Sequence, residues 1–172
     1  MKTSTQREKL DKAYAYHEAG HAVVAWDQGL RIHRGTIHAD GNSPGHVLHS
    51  WGVPAILFES GSGQSLRTAV ERNVRAALAG EVAQRRAAPK SIRSFDGAGD
   101  RENIADLLVA LHGYNNERIN VHQRLLVLET EGIVDRWWHC VEAVAQLLLD
   151  RRTVPGRDIR AAIFAANMAA AT

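Results

Sequence analysis

Residues 13–26 read AYAYHEAGHAVVAW, and the interpretation of this run decides the fold. It is small and apolar except for His17, Glu18 and His21 in its middle, and Gly20, a poor helix former, lies between them. A helix is nevertheless expected over residues 10–28. On a wheel of about 100° per residue, Tyr16, Ala19, Val23 and Trp26 form one apolar stripe. His17, His21 and Val24 lie on the adjacent face, with Glu18 between that face and the far side. Most remaining positions are Ala or Val, so the helix is apolar nearly all round and belongs at the centre of the molecule. Gly29 is placed to terminate it.

Positions i and i+4 of a helix stand one above the other, so His17 and His21 can present two imidazole nitrogens to one metal ion. Glu18 is turned away from that shared point but can reach a water bound there. This is the HExxH pattern: two zinc ligands and a general base for the zinc-bound water. Gly20 costs about 1 kcal/mol relative to alanine in a helix interior, which is tolerable where another element must pass close beside the metal. A catalytic zinc takes three protein ligands and keeps one position open. The metzincin continuation does not follow HEAGHAVVAW, so the third ligand is sought downstream. Asp100 is the strongest candidate, because it follows a glycine-rich loop and opens an apolar helix. On the residues alone, a plain N-cap explains that aspartate equally well.

Outward from this helix, LRIHRGTIHA (30–39) and GHVLHSWG (45–52) read as two strands joined by the turn-rich DGNSPG. VPAILFES (53–60) fits a third strand or a loop, and SGSG (60–63) is a flexible break. A long helix is expected over 64–86, with Leu66, Val70, Val74, Ala77, Leu78 and Val82 facing a core and Pro89 closing it. Further helices are expected over 101–113, 114–131, 132–151 and 155–170, with Pro155 at the first helical position. The fold class is α+β, mostly α: a single domain over 1–172, with residues 1–9 as a flexible extension.

The totals exclude several functions. The chain has 172 residues, 45% hydrophobic and 23% charged, with a net charge of +2, as an ordinary globular domain does. Its Lys and Arg are scattered, with no basic run and interleaved aromatics to track nucleic acid. Cys140 is the only cysteine, so no intrachain disulfide can form. The charged N-terminus is not a signal peptide, and no apolar stretch of about 18 residues exists to span a membrane. A cytoplasmic location is expected.

Several segments resemble, in order, the peptidase domain of the membrane-anchored, ATP-dependent zinc proteases of the FtsH type. HEAGHAVVA reads like that family's zinc helix almost letter for letter. GTIHADGNSPGHV is similar to its following hairpin, VRAALAGEVAQRR to its GGRAAEE helix, SFDGAGDRENIADLL to the segment that delivers its aspartate ligand, and VAQLLLDRRTVPGRDIRAAI to its C-terminal helices. The resemblance implies a zincin-like metallopeptidase fold, Zn2+ bound by His17, His21 and Asp100, and Glu18 as general base. The family has two residues between its Gly-Ala and the aspartate where this chain has Gly99 alone, which leaves Asp96 and Asp106 as fallback ligands. The family's ATPase module is missing, and GSGQS lacks the lysine and spacing of a P-loop. The implied activity is hydrolysis of unfolded or flexible polypeptides laid along the His46–Ser50 strand, unaided or with a separate ATPase or unfoldase partner. The alternative is a non-catalytic peptidase-fold module for protein interaction or regulation, which would have no need of Glu18.

The other histidines give weaker signals. His33, His38, His46 and His49 fall on the hairpin, and the spacing of three puts His46 and His49 on opposite faces of a strand. His112, His122 and His139 are expected on helix surfaces, and Cys140 as a small buried hydrophobe. Of the adjacent Trp137 and Trp138, one is expected to pack inward and the other to lie partly exposed.

Overall fold

The computed structural model describes residues 4–37, 46–49, 63–91 and 97–172. Among them the chain forms α1 (Ser4–Asp27), β1 (Ile32–Thr36), β2 (His46–His49), α2 (Gly63–Ala87) and a 3-10 turn (Pro89–Ser91). There follow α3 (Ala98–His112), α4 (Asn116–Arg136), α5 (Trp138–Arg151), β3 (Thr153–Pro155) and α6 (Gly156–Ala170). The expected α+β, mostly helical class holds. None of these helices is long and apolar enough to cross a membrane.

The apolar all-round helix is central, as its composition demands. Ala15, Ala19, Ala22, Val23, Val24 and Ala25 are fully buried, and α1 packs on α2 along one side and α5 along another. Ile32, Val141, Val144, Leu148, Ile159 and Ile163 join them in the main core. A second core lies on the far side of α2, where Val70, Val74 and Ala77 meet Ile104, Leu108 and Leu126. α2 is therefore buried on two faces. Leu66, Val70, Val74, Ala77 and Leu78 of the expected stripe face the second core and Val82 packs on the main one, while Ala76, Ala79, Gly80 and Ala83 face α1.

The two expected strands form an antiparallel pair, with Thr36 opposite His46, Gly35 opposite Val47 and Arg34 opposite Leu48. A third strand, not anticipated, completes a sheet of order β2-β1-β3 by pairing Gly35 with Val154 and Thr36 with Thr153. β3 is only three residues long and includes Pro155, so it carries almost no alternation to read. Pro155 is the residue before α6 in extended backbone, not its first helical residue. VPAILFES lies outside the described residues.

Other boundaries differ from expectation. α1 begins at Ser4, earlier than the expected start at residue 10. Gly132 does not end a helix: α4 runs through it to Arg136, and the break comes at Trp137. Trp137 and Trp138 are both half-buried against α1. Trp137 meets Trp26 edge-on and donates its indole N–H to Asp27, while Trp138 stacks on Tyr16 under Arg86. Cys140 is buried as expected.

Candidate metal centre

His17 and His21 project from α1 toward α2, and small residues make the room. A Cβ on Gly20 would overlap the Ala79 carbonyl oxygen and lie 2.7 Å from the Ala83 Cβ, so any side chain there would force the helices apart. Across the contact, a Cβ on Gly80 would lie 2.6 Å from His21 Cε1 and 2.7 Å from His17 Nε2. The two rings thus occupy the space that a side chain at residue 80 would fill. The close helix approach read from Gly20 is real, and the element that passes is α2.

Each ring is held by its Nδ1. The Ala76 carbonyl lies 2.7 Å from His21 Nδ1 and can only accept, so that nitrogen carries its proton. For His17 the same result comes through a chain. Ser91 donates its hydroxyl to the Ala88 carbonyl (2.7 Å) and accepts from the Gln84 amide nitrogen (3.1 Å). The Gln84 oxygen is thereby turned to accept from His17 Nδ1 at 2.9 Å. Both neutral rings are left with bare Nε2 lone pairs.

Those lone pairs converge on Asp100. The two Nε2 atoms are 3.1 Å apart, and each is 3.3 Å from Asp100 Oδ2. Three acceptor atoms this close repel one another unless a proton or a cation sits among them. Two nitrogens and one oxygen bound at about 2.0–2.1 Å to a tetrahedral ion stand about 3.3 Å apart, so the triangle already has the dimensions of a metal site. The group His17, His21 and Asp100 can hold a metal ion. In its absence a proton takes that place. Burial pulls the His21 pKa down, but the charge and hydrogen bond of Asp100 raise it further, to about 9. Burial likewise pushes Asp100 up, and the two imidazoles overcome it, holding the carboxyl well below the usual carboxylate range.

Asp100 reaches this point from the first turn of α3. The residue preceding that helix is Gly97, at φ 66°, in the left-handed backbone that glycine adopts most readily. The plain N-cap role is thereby excluded for Asp100, which is the third helical residue, with Gly97 in the cap position. Of the fallback ligands, Asp106 is exposed on α3 and outside the cluster, and Asp96 lies outside the described residues.

Glu18 stands beside the triangle without belonging to it. It is 4% exposed, it accepts the Val47 backbone N–H of β2, and its Oε2 has no hydrogen-bond partner among the described residues. Burial raises its pKa; His17, His21 and the Val47 N–H act against the rise, and Asp100 adds to it. An unpartnered carboxylate oxygen in a buried site is costly and is arranged to receive a proton.

Among the described side chains, no other histidine joins the group. His33 is exposed on β1, and His38 and the side chains of His46 and His49 lie outside what is described. His122 is buried, not on a surface, and belongs to a separate cluster with His112 and Glu71. Sequence reasoning missed Gly80, Gln84, Ala76 and Ser91. The small residues at 76, 79, 80 and 83 were the available signal, since that spacing marks a face made for close approach. No family model matches the chain, and no curated protein matches it either.

Proposed function

We propose that this chain is a zinc-dependent metalloendopeptidase acting on unfolded or flexible polypeptides. The observation that carries the reading is the pairing of two kinds of unsatisfied group. The bare nitrogens of His17 and His21 meet Asp100, and a buried carboxylate with an unpartnered oxygen stands next to them. A purely structural site would have no use for that second group.

His17, His21 and Asp100 would hold the zinc, and their two nitrogens and one oxygen fit the three-ligand donor set of a catalytic zinc. Bound there, zinc supplies Lewis acidity that polarises a carbonyl and makes water a nucleophile near neutral pH. Glu18 takes the proton of the attacking water on Oε2 and returns it to the departing amine. Its raised pKa brings it toward the range where such transfers are fastest. The Val47 N–H holds the carboxylate's orientation from β2, an outer strand of the described sheet along which an extended substrate can pair. The Ala76 carbonyl and Gln84 hold the ligand rings.

The test is metal content by elemental analysis, paired with hydrolysis of an unfolded casein. The purified chain should hold one zinc per molecule, lose hydrolysis with a chelator and regain it with added zinc. Stoichiometric zinc without chelator-sensitive hydrolysis would leave a metal-binding protein and sink the peptidase reading.

A further inference from the structure

Away from the metal centre, a cavity of about 450 Å³ opens where the N-terminal part of α1 meets the turn after α2. Leu10, Ala88 and Pro89 give it an apolar floor. Lys9, Lys12 and Lys90 also line it, and among the described residues no acidic side chain does. Lys9 and Lys12 are three apart on α1 and share one face of that helix. Lys90 comes from the 3-10 turn after α2. None of the three ammonium groups has an ion-pair partner among the described residues. Lys12 Nζ rests 5.8 Å from the Tyr16 ring centroid, a contact that leaves its charge uncompensated.

The volume falls in the range of about 300–1,000 Å³ typical of small-molecule sites. Three like charges around an apolar hollow repel one another, and one anion placed among them would relieve all three contacts. The floor offers little to hydroxyl-rich or nucleotide ligands, and the space is too small for a folded partner.

We propose that this cavity binds an amphipathic organic anion: a medium-chain apolar body carrying one carboxylate. The body lies on Leu10, Ala88 and Pro89, and the carboxylate takes the lysines. The site is independent of the proposed zinc chemistry.

Calorimetric titration of the full chain with octanoate, octanol and octylamine tests it. Octanoate should bind saturably, one per chain, and at least about tenfold more tightly than octanol, with no binding of octylammonium. The Lys9→Glu, Lys90→Glu double variant should weaken octanoate by at least about tenfold at an unchanged melting temperature, and His17→Ala should leave it unaltered. If the double variant melts early, Lys9→Gln and Lys90→Gln made singly should each still weaken octanoate. Non-saturable octanoate binding, equal binding of octanol, or affinity indifferent to all the lysine changes would overturn the proposal.

Discussion

Two clusters in this molecule are built from the same parts, two histidines and a carboxylate, and differ in how their hydrogen bonds are used. In the cluster between α2, α3 and α4, Glu71 can only accept, so His122 Nε2 donates to it at 3.0 Å. His122 Nδ1 is then free to accept from His112 Nε2 at 2.8 Å. Glu71 also takes Arg67 and Arg75, and although burial raises its pKa, these cations and His122 lower it overall. Every nitrogen between the rings and the acid is paired. In the cluster between α1 and α3, the partners are spent on the outer nitrogens, and the inner ones face each other and Asp100 across a gap that only a proton or a cation can fill. Histidines beside a carboxylate do not make a metal site; the direction of their hydrogen bonds does.

The largest effect that would sharpen this contrast is at Glu18. Glu18→Gln keeps the shape and removes the base, and peptide hydrolysis should fall by about 10²–10⁴ while metal content is unchanged. Loss of metal in that variant would move Glu18 into the ligand set. Next come the two carboxylates compared directly by competition with a chromophoric chelator. Asp100→Ala should lower metal affinity by more than about 100-fold, beyond what outer partners contribute. Glu71→Ala should leave the affinity unaltered and instead cost about 1–3 kcal/mol of stability, because buried His122 loses its acceptor. Equal metal loss in both variants would break the comparison.

A smaller change is expected at Gln84. Gln84→Leu should weaken metal binding by about 10–100-fold, and Gln84→Glu, which still accepts from His17 Nδ1, should retain most of it. The metal-free chain should also respond to pH. The His21 pKa is raised from 6.5 to about 9, so its contribution to stability is complete below pH 6.5 and is lost as pH rises through 9. Urea midpoints of chelator-treated protein should decline over that window, and in His21→Gln the decline should be absent. Smallest of all, His112→Ala should cost about 1 kcal/mol of stability and leave the metal affinity untouched.

The candidate metal site was legible in the sequence and the structure around it largely not, for a physical reason. His17 and His21 are related by one helical turn, so a local rule brings them together, and the acid at 100 follows a loop signal. The Ser91–Gln84–His17 chain joins residues with no shared periodicity, and no local rule connects positions 67 apart. α2 was read along the stripe that its larger residues mark, because alanines carry little hydrophobic contrast; its Ala76, Ala79, Gly80 and Ala83 face therefore went unread. His122 looked like a surface histidine because its helix is polar on most sides, and only the tertiary fold places Glu71 beside it. β3 exists because β1 has a free edge to pair, which three residues of sequence cannot announce.

Residues 17 and 100 are 83 apart in the chain and 3.3 Å apart in space. α3 packs chiefly on α2 and α4, so Asp100 is a principal tie between it and the central helix. An ion shared by α1 and α3 would act as a cross-link across that whole interval. For a loop of this length, the length-dependent part of the closure entropy is about 4 kcal/mol, a term that ordinary side-chain contacts do not supply. Loading and stripping such an ion would fasten and release α3, so metal supply would govern how firmly this part of the chain is held.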